Sequence, residues 1–390
     1  MRATLCAGCL DQGSRLNSLW IPVYAIGAAQ AAMLAPALWR RPANTTANRL
    51  LSLWLALIAV DLAVKAAHMS LPQGGFGPAF RVARVLPFLY APLFFVYVRA
   101  LVSGRALRRQ DLAHATWLQL LLGWMTWRWL AGDPLPAAGD WNRRWFDPLL
   151  FSVALAYLAA AALQVRRYGR WLRGRRSDAD RLSLRWLAVM TGCQFAIWSV
   201  AALHALSRLA WADYYLIYAA VAAWVCVVGW FSLAQPPVAE PMVAAPGARP
   251  AEAGEEDPRF DEVEARLAQL MSAQALYREP ALGIAQVARR SGYPEYLVSA
   301  VINRRLGGNF WEYVNRYRVE AVRARLADAA DRRSILEIAY EAGFTSKSTF
   351  NSAFKRLVGR TPSDYRRACA ASRRAGAGPT GAAATRTRPG

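Results

Sequence analysis

The chain has 390 residues, 55% apolar and only 19% charged, with 48 Lys and Arg against 26 Asp and Glu for a net charge of +22. Soluble domains run nearer about 45–50% apolar and about 25% charged, so a disordered chain and a collagen-like fibre are excluded, and five Cys are too few for a disulfide scaffold. What remains is a membrane protein with basic loops or a nucleic-acid binder, and the two characters fall in different halves. Residues 1–234 carry a net +15, 235–258 a net −4, 259–368 a net +7 and 369–390 a net +4.

A helix needs about 20 mostly apolar residues to cross a bilayer core of roughly 30 Å. Seven such runs are expected, near 18–39, 50–69, 82–102, 112–131, 147–166, 185–206 and 213–234. The first, third and fifth gaps between them hold Arg40, Arg41, Arg49, Arg105, Arg108, Arg109, Arg167, Arg170, Arg173, Arg175, Arg176 and Arg181. The even gaps hold only Arg81, Arg143, Arg144 and Arg208. Because cytoplasmic loops are enriched in Lys and Arg, this places the N-terminus outside and everything after residue 234 in the cytoplasm, with Trp141 and Trp145 in an outer aromatic belt. The cell compartment expected is a bacterial inner membrane. No signal peptide is expected, since the first run is long and lacks a small-residue cleavage site. Cys6 and Cys9 form one CxxC without a second pair or a nearby His, which is weak grounds for metal or redox chemistry.

The second run contains Asp61, Lys65 and His68 at i, i+4 and i+7, one helical face. A mid-membrane carboxylate normally faces the bundle interior and is paired. Lys65 is its natural partner, and the face reads either as a packing ion pair or as a sensing pocket for a signal ligand. Arg84 and Arg128 lie near outer ends and read as snorkelling side chains without a role.

Residues 235–258 are Pro-, Ala- and acid-rich without apolar periodicity, a linker; residues 369–390 read as a disordered tail. Between them two segments repeat. Ile284, Val287 and Ala288 precede Gly292, then Val298, Ile302 and Leu306 follow; Ile335, Ile338 and Ala339 precede Gly343, then Phe350, Phe354 and Val358 follow. The offset is 51 residues before the turn and 52 after it. Each copy is a short helix, a Gly turn and a second helix, a helix-turn-helix. Ser334 with Glu337 forms a capping box and Ser346 is placed to cap the next helix. Phe310, Val314, Tyr317 and Ala321 predict one continuous helix joining the copies, opened by Asn309 and Glu312. On the second recognition helix Phe350, Phe354 and Leu357 are expected inward, leaving Lys347, Ser348, Asn351, Ser352, Lys355 and Arg356 outward. Asn pairs with adenine, Ser bonds several base edges, and Lys and Arg neutralise phosphates.

Ile338-Ala339, Ala342-Gly343-Phe344, Ser346, Phe350, Phe354-Lys355, Gly359 and the run Thr361 to Arg366 closely resemble the DNA-binding domain of AraC/XylS-type bacterial transcription regulators, over about 110 residues. The resemblance implies an all-α double helix-turn-helix domain over 259–368 following a seven-helix bundle over 1–234, as in membrane-anchored members of that family. It also implies that Ser348, Asn351 and Ser352 face bases. In copy one the equivalents are Tyr296, Ser299 and Ala300, with Asn303, Arg304 and Arg305 nearer the backbone. Pro294 departs from the capping Ser usual in the family, and Ala300 from a base-reading Arg.

The expected partners are promoter double-stranded DNA, the lipid bilayer, a second copy as homodimer, RNA polymerase if the protein activates, and an unidentified signal ligand. A receptor whose cytoplasmic domain docks a protein rather than DNA is the rival reading. No catalytic constellation, cofactor motif or metal set is present: His68, His114 and His204 have no partners at ligand spacing.

Overall fold

The computed structural model describes residues 2–71, 75–132, 145–179, 184–207, 214–234 and 257–376, and within these not the side chains of 2–19, 129, 207, 214–215, 234 and 373–376. The described residues fold into helices joined by turns and loops, with one isolated antiparallel bridge and no sheet among them. Two compact units form: Met1–Tyr168 with Leu184–Val243, and Gly169–Ser183 with Ala244–Gly390. The linker expected at 235–258 lies almost wholly outside the described residues, as do Trp141 and the side chains of Cys6 and Cys9.

The first unit contains α1 (Arg2–Trp39), α2 (Thr45–Ser70), α3 (Gly77–Ala83), α4 (Pro87–Ser103), α5 (Thr116–Leu130), most of α6 (Asp147–Arg173), α7 (Arg185–Ser207) and α8 (Tyr214–Ala234). Pro87 opens α4 at a first-turn position, where its missing N–H costs nothing. α1 packs along α2 and α8, and α2 along α4. A Cβ on Gly27 would stand 2.6 Å from Ala222 Cβ, so the absent side chain is what lets α1 and α8 close, as small residues do between helices in lipid. Trp54 and Phe94 fill the interior, and Trp54 Nε1 donates to the Tyr90 carbonyl at 3.0 Å.

Six helices are long and apolar enough to cross a membrane: Trp20–Trp39, Thr45–Ser70, Gly77–Ser103, Asp147–Arg173, Arg185–Leu206 and Leu216–Leu233. The fourth run, expected over 112–131, does not form a helix of that length. A 3-10 turn occupies Arg109–Ala115 and α5 then has 15 residues, about 22 Å at about 1.5 Å per residue. The polar start, Arg108 to His114, is what shortens it: Asp111 accepts from the Arg108 N–H at 2.9 Å and pairs with Arg99 at 2.7 Å.

The second unit contains α9 (Phe260–Ser272), α10 (Ile284–Ser291), α11 (Glu295–Arg304), α12 (Phe310–Ala327), α13 (Ile335–Glu341), α14 (Lys347–Val358) and α15 (Pro362–Gly376). Copy one is α10, Gly292 and α11; copy two is α13, Gly343 and α14. One core of Phe260, Leu267, Ile284, Val287, Leu297, Val301, Ile302, Phe310 and Val314 joins α9, copy one and the start of α12. Copy two is held by an edge-to-face chain in which Phe344, Phe350, Phe354 and Tyr365 follow one another at 5.2, 5.7 and 5.7 Å, the arrangement that aromatic quadrupoles favour.

The expected caps form. Glu337 N donates to Ser334 Oγ at 3.2 Å and Ser334 N to the Glu337 carboxylate at 2.7 Å. Asn309 and Glu312 reciprocate in the same way at the start of α12, and Thr349 N donates to Ser346 Oγ. Two expectations are corrected. Leu357 is 38% exposed, and Thr349 and Ala353 take the inward places beside Phe350 and Phe354. The final helix also continues to Gly376, into the segment read as tail, because nothing in Ala368 to Gly376 breaks it.

Candidate functional site

On α14, Lys347, Ser348, Asn351, Ser352 and Lys355 are all exposed on the face opposite Phe350 and Phe354. The helix is held from behind and from its cap, so this face is presented rigidly. Ser346, having capped Thr349, lies 3.2 Å from Ser348 Oγ, which biases that hydroxyl toward the helix start. Arg356 is different. Its guanidinium pairs with Glu312 and sits over the Trp311 ring at 5.5 Å, tying α14 to α12 and leaving only part of the side chain for phosphate.

On α11, Tyr296 is 54% exposed and accepts from Arg259 at 3.4 Å. Ser299 is half-buried and accepts from Asn303 Nδ2 at 3.3 Å, while Asn303 and Arg304 project outward. Ala300 packs against the core, so it has no reading role. Pro294 supplies no side-chain cap, and Arg305 is drawn back to Asp261 at 2.5 Å. Copy one therefore offers fewer free donors than copy two.

A residue that periodicity did not single out organises the domain. Arg318, on α12, is 1% exposed. Its Nε donates to the Tyr277 carbonyl at 2.7 Å and its Nη2 to the Glu279 carbonyl at 2.8 Å. Burial pulls its pKa down to about 10, with the charge of Asp178 acting in the opposite direction. The Ser334 N–H and hydroxyl hold the Glu337 carboxyl below the usual carboxylate range.

A helix-turn-helix domain model matches residues 287–368. A putative AraC-like transcription regulator of Streptomyces antibioticus is 31% identical over 94 residues, 24% of this chain and 30% of that protein. The regulatory protein SoxS of Salmonella typhimurium is 34% identical over 87 residues, 22% of this chain but 78% of that protein. The chain belongs to the AraC family. The melibiose operon regulatory protein of Escherichia coli is similar over 101 residues at 33% identity, 26% of this chain and 33% of that one. No solved structure matches. AraC-family proteins are DNA-binding transcription regulators and not enzymes, and the C-terminal unit of this chain carries that character.

In the first unit Asp61 and Lys65, 2% and 3% exposed, form an ion pair one turn apart. Tyr90 Oη donates to the second Asp61 oxygen at 2.8 Å, and Lys65 Nζ lies 3.8 Å from the Tyr218 ring centroid. The sequence named the pair; it did not show the two tyrosines, which come from other helices. His68 stacks on Phe80 at 4.4 Å, and its Nδ1 has no hydrogen-bond partner. Lys65 and His68 face a cavity of about 670 Å³ whose walls include Trp54, Tyr90, Phe151, Trp198, Tyr218 and Trp224. Arg84, read as snorkelling, lines this cavity, with its guanidinium 5.9 Å from the Phe146 ring centroid. No group of His, Cys, Asp and Glu fit for a metal occurs among the described residues.

Proposed function

We propose that this AraC-family protein is a membrane-embedded transcription regulator that binds promoter DNA from the cytoplasmic side and takes its signal through the bundle. The observation that supports it most is the combination in one chain of six long apolar helices with exposed Ser, Asn and Lys side chains on one face of a capped recognition helix. Asn351, Ser352 and Ser348 read bases; Lys347 and Lys355 neutralise phosphates, with Arg356 contributing less. Tyr296, Ser299, Asn303 and Arg304 give copy one a weaker, mainly positional contact. The cavity around Lys65, His68 and Arg84 takes a small, largely apolar molecule with one polar end, since its walls are mainly aromatic and aliphatic and its polar lining is confined to Lys65, His68, Arg84, Asp147, Gln194 and His204 beside the tyrosine and tryptophan edges.

Seven crossings fit the charges better than six. A cytoplasmic C-terminus with six crossings would put Arg40, Arg41, Arg105, Arg108 and Arg109 outside, against the usual Lys/Arg bias. The 3-10 turn leads straight into α5, and at about 2 Å per residue in its 3-10 part the two together reach across a bilayer. Reporter fusions after residues 104 and 132 test the count: the first reports inside and the second outside if α5 crosses, and both report the same side if it does not. For the DNA role, the full chain in lipid nanodiscs is expected to bind its own promoter region with a steep salt dependence. Salt-independent capture of a protein partner, with no DNA affinity, would favour the receptor reading instead.

A further inference from the structure

The turn between α6 and α7 belongs to the second unit and not to the first. Six arginines make the segment from 167 to 181 look like solvated loop, yet Ser177 is 0% exposed, Asp178 4% and Ala179 2%. Buried polar loop residues are held by partners, and here the partners are copy one and α12. Arg176 and Gly283 form an antiparallel bridge. Ser177 N donates to the Leu282 carbonyl at 3.0 Å, and the Arg175 carbonyl accepts from Ile284 N at 2.9 Å. That second bond satisfies an amide in the first turn of α10, one of the orphan donors of a helix start, at a helix whose cap residue is Gly283 and has no side chain to offer.

Three more contacts fix the same turn. Asn315, 0% exposed on α12, donates to the Ser177 carbonyl at 3.0 Å. Asp178 receives Arg176 at 3.0 Å and faces the buried Arg318. Arg175 pairs with Glu295, the first residue of recognition helix α11, at 2.7 Å. The turn is itself locked to the end of α6, where Gly174 N and Arg176 N donate to the Arg170 and Leu172 carbonyls.

We infer that the edge of copy one, Leu282 to Ile284 with Asn315 and Glu295, is a docking surface for the 174–179 turn, and that this docked turn holds α10 and α11 in the DNA-binding arrangement. The DNA-binding domain is thus discontinuous in sequence, completed by a piece of the membrane half. A change in α6 reaches the first recognition helix through a hydrogen-bonded edge, while copy two, with its own Ser334 and Ser346 caps, does not depend on it. The consequence for promoter affinity rests on the DNA-binding reading; the docking does not.

The test uses the full chain in lipid nanodiscs with Ser177→Pro, which removes the N–H that Ser177 gives to the Leu282 carbonyl, read by hydrogen exchange of the 282–287 amides and by affinity for the protein's own promoter region and for random DNA. Exchange is expected to quicken, and promoter affinity to fall by about tenfold, the order of losing backbone hydrogen bonds at one helix start; α13 and α14 should keep their protection and random-DNA binding should change little. Unchanged exchange at 282–287 would show that the turn does not dock. Faster exchange with equal or tighter promoter binding would show that docking does not support copy one. If the Ser177→Pro chain fails to accumulate, Arg175→Glu serves: a several-fold loss of promoter affinity, restored by adding Glu295→Arg, supports the contact, and no restoration counts against it. Should the unaltered chain bind no DNA at all, the exchange experiment still decides docking, so the two readings fail separately.

Discussion

The two copies carry a glycine at the same place in the turn, and the structure makes them unequal. Gly292 has φ +81° with open space around the position of a Cβ, whereas Gly343 has φ +93° and a Cβ there would stand 2.6 Å from the Tyr277 carbonyl oxygen and 2.7 Å from that of Arg278. Gly292→Ala therefore costs only the left-handed strain, about 1–2 kcal/mol. Gly343→Ala adds a clash with backbone that cannot retreat freely, because the Tyr277 carbonyl is held by buried Arg318 at 2.7 Å. Relieving it means weakening a bond to a charged group, about 1.5–3 kcal/mol, so the total is about 3–5 kcal/mol. The assay is denaturant-dependent hydrogen exchange in the full chain, read on α10 and α11 peptides for Gly292→Ala and on α13 and α14 peptides for Gly343→Ala, which gives the opening free energy of each copy. Losses of equal size for the two variants, each within the strain term, would refute the claim that Gly343 is required for close approach.

Other outcomes follow from the same geometry. Asn351→Ala or Ser352→Ala is expected to weaken promoter binding by about 1–3 kcal/mol while sparing random DNA, and equal losses on both would show the reading face misassigned. Lys355→Ala should weaken all sequences and reduce the salt slope by roughly one ion; Arg356→Ala should do so less, because Glu312 and Trp311 already engage that guanidinium. Asp61→Asn leaves Lys65 buried without its counter-charge and should lower membrane abundance, breaking a buried pair being worth about 3–5 kcal/mol, with Asp61→Asn plus Lys65→Met restoring it. Altered promoter output at normal abundance would instead identify the face as a sensor, and normal abundance with unaltered output would contradict both readings. Glu337 has a depressed folded pKa, so its contribution to copy two is complete above the unfolded value of about 4.3 and disappears as pH falls through the folded one; Glu337→Gln should remove that acid-side loss in exchange measurements on α13.

The second half of the chain was legible because its signals are local. Capping boxes span three residues, Gly turns mark helix ends, and the repeat of Ile284, Val287 and Ala288 as Ile335, Ile338 and Ala339 survives inspection by eye. The pairing of Asp61 with Lys65 was legible for the same reason, a spacing within one helix. What was not legible depends on residues far apart in sequence. Tyr90 and Tyr218 reach the pair from other helices, and nothing in their own neighbourhoods shows it. Arg84 sits near a helix end, where snorkelling is the ordinary reading, and only the packing of α2, α4 and α6 residues around one cavity shows it facing inward. Asp178 and Arg318 are 140 residues apart, and an Arg in a polar-looking helix gives no sign of being buried. The length of α5 was misjudged because hydropathy counts apolar residues without seeing that Asp111 and Arg99 pair and bend the chain before it.

The helix joining the copies has one further effect. α12 is a single helix of 18 residues, about 27 Å long, capped at its start by Asn309 and crossed by Arg318 and Arg356. Each residue in it contributes an advance of about 1.5 Å and a turn of about 100°, so its length sets both the distance and the angular phase between α11 and α14. DNA repeats every 34 Å or so along its axis. The rod therefore has a fixed pitch: one residue added within α12 would advance α14 by about 1.5 Å and swing it by about 100° relative to α11, so the two copies would no longer present their outer faces in the same phase.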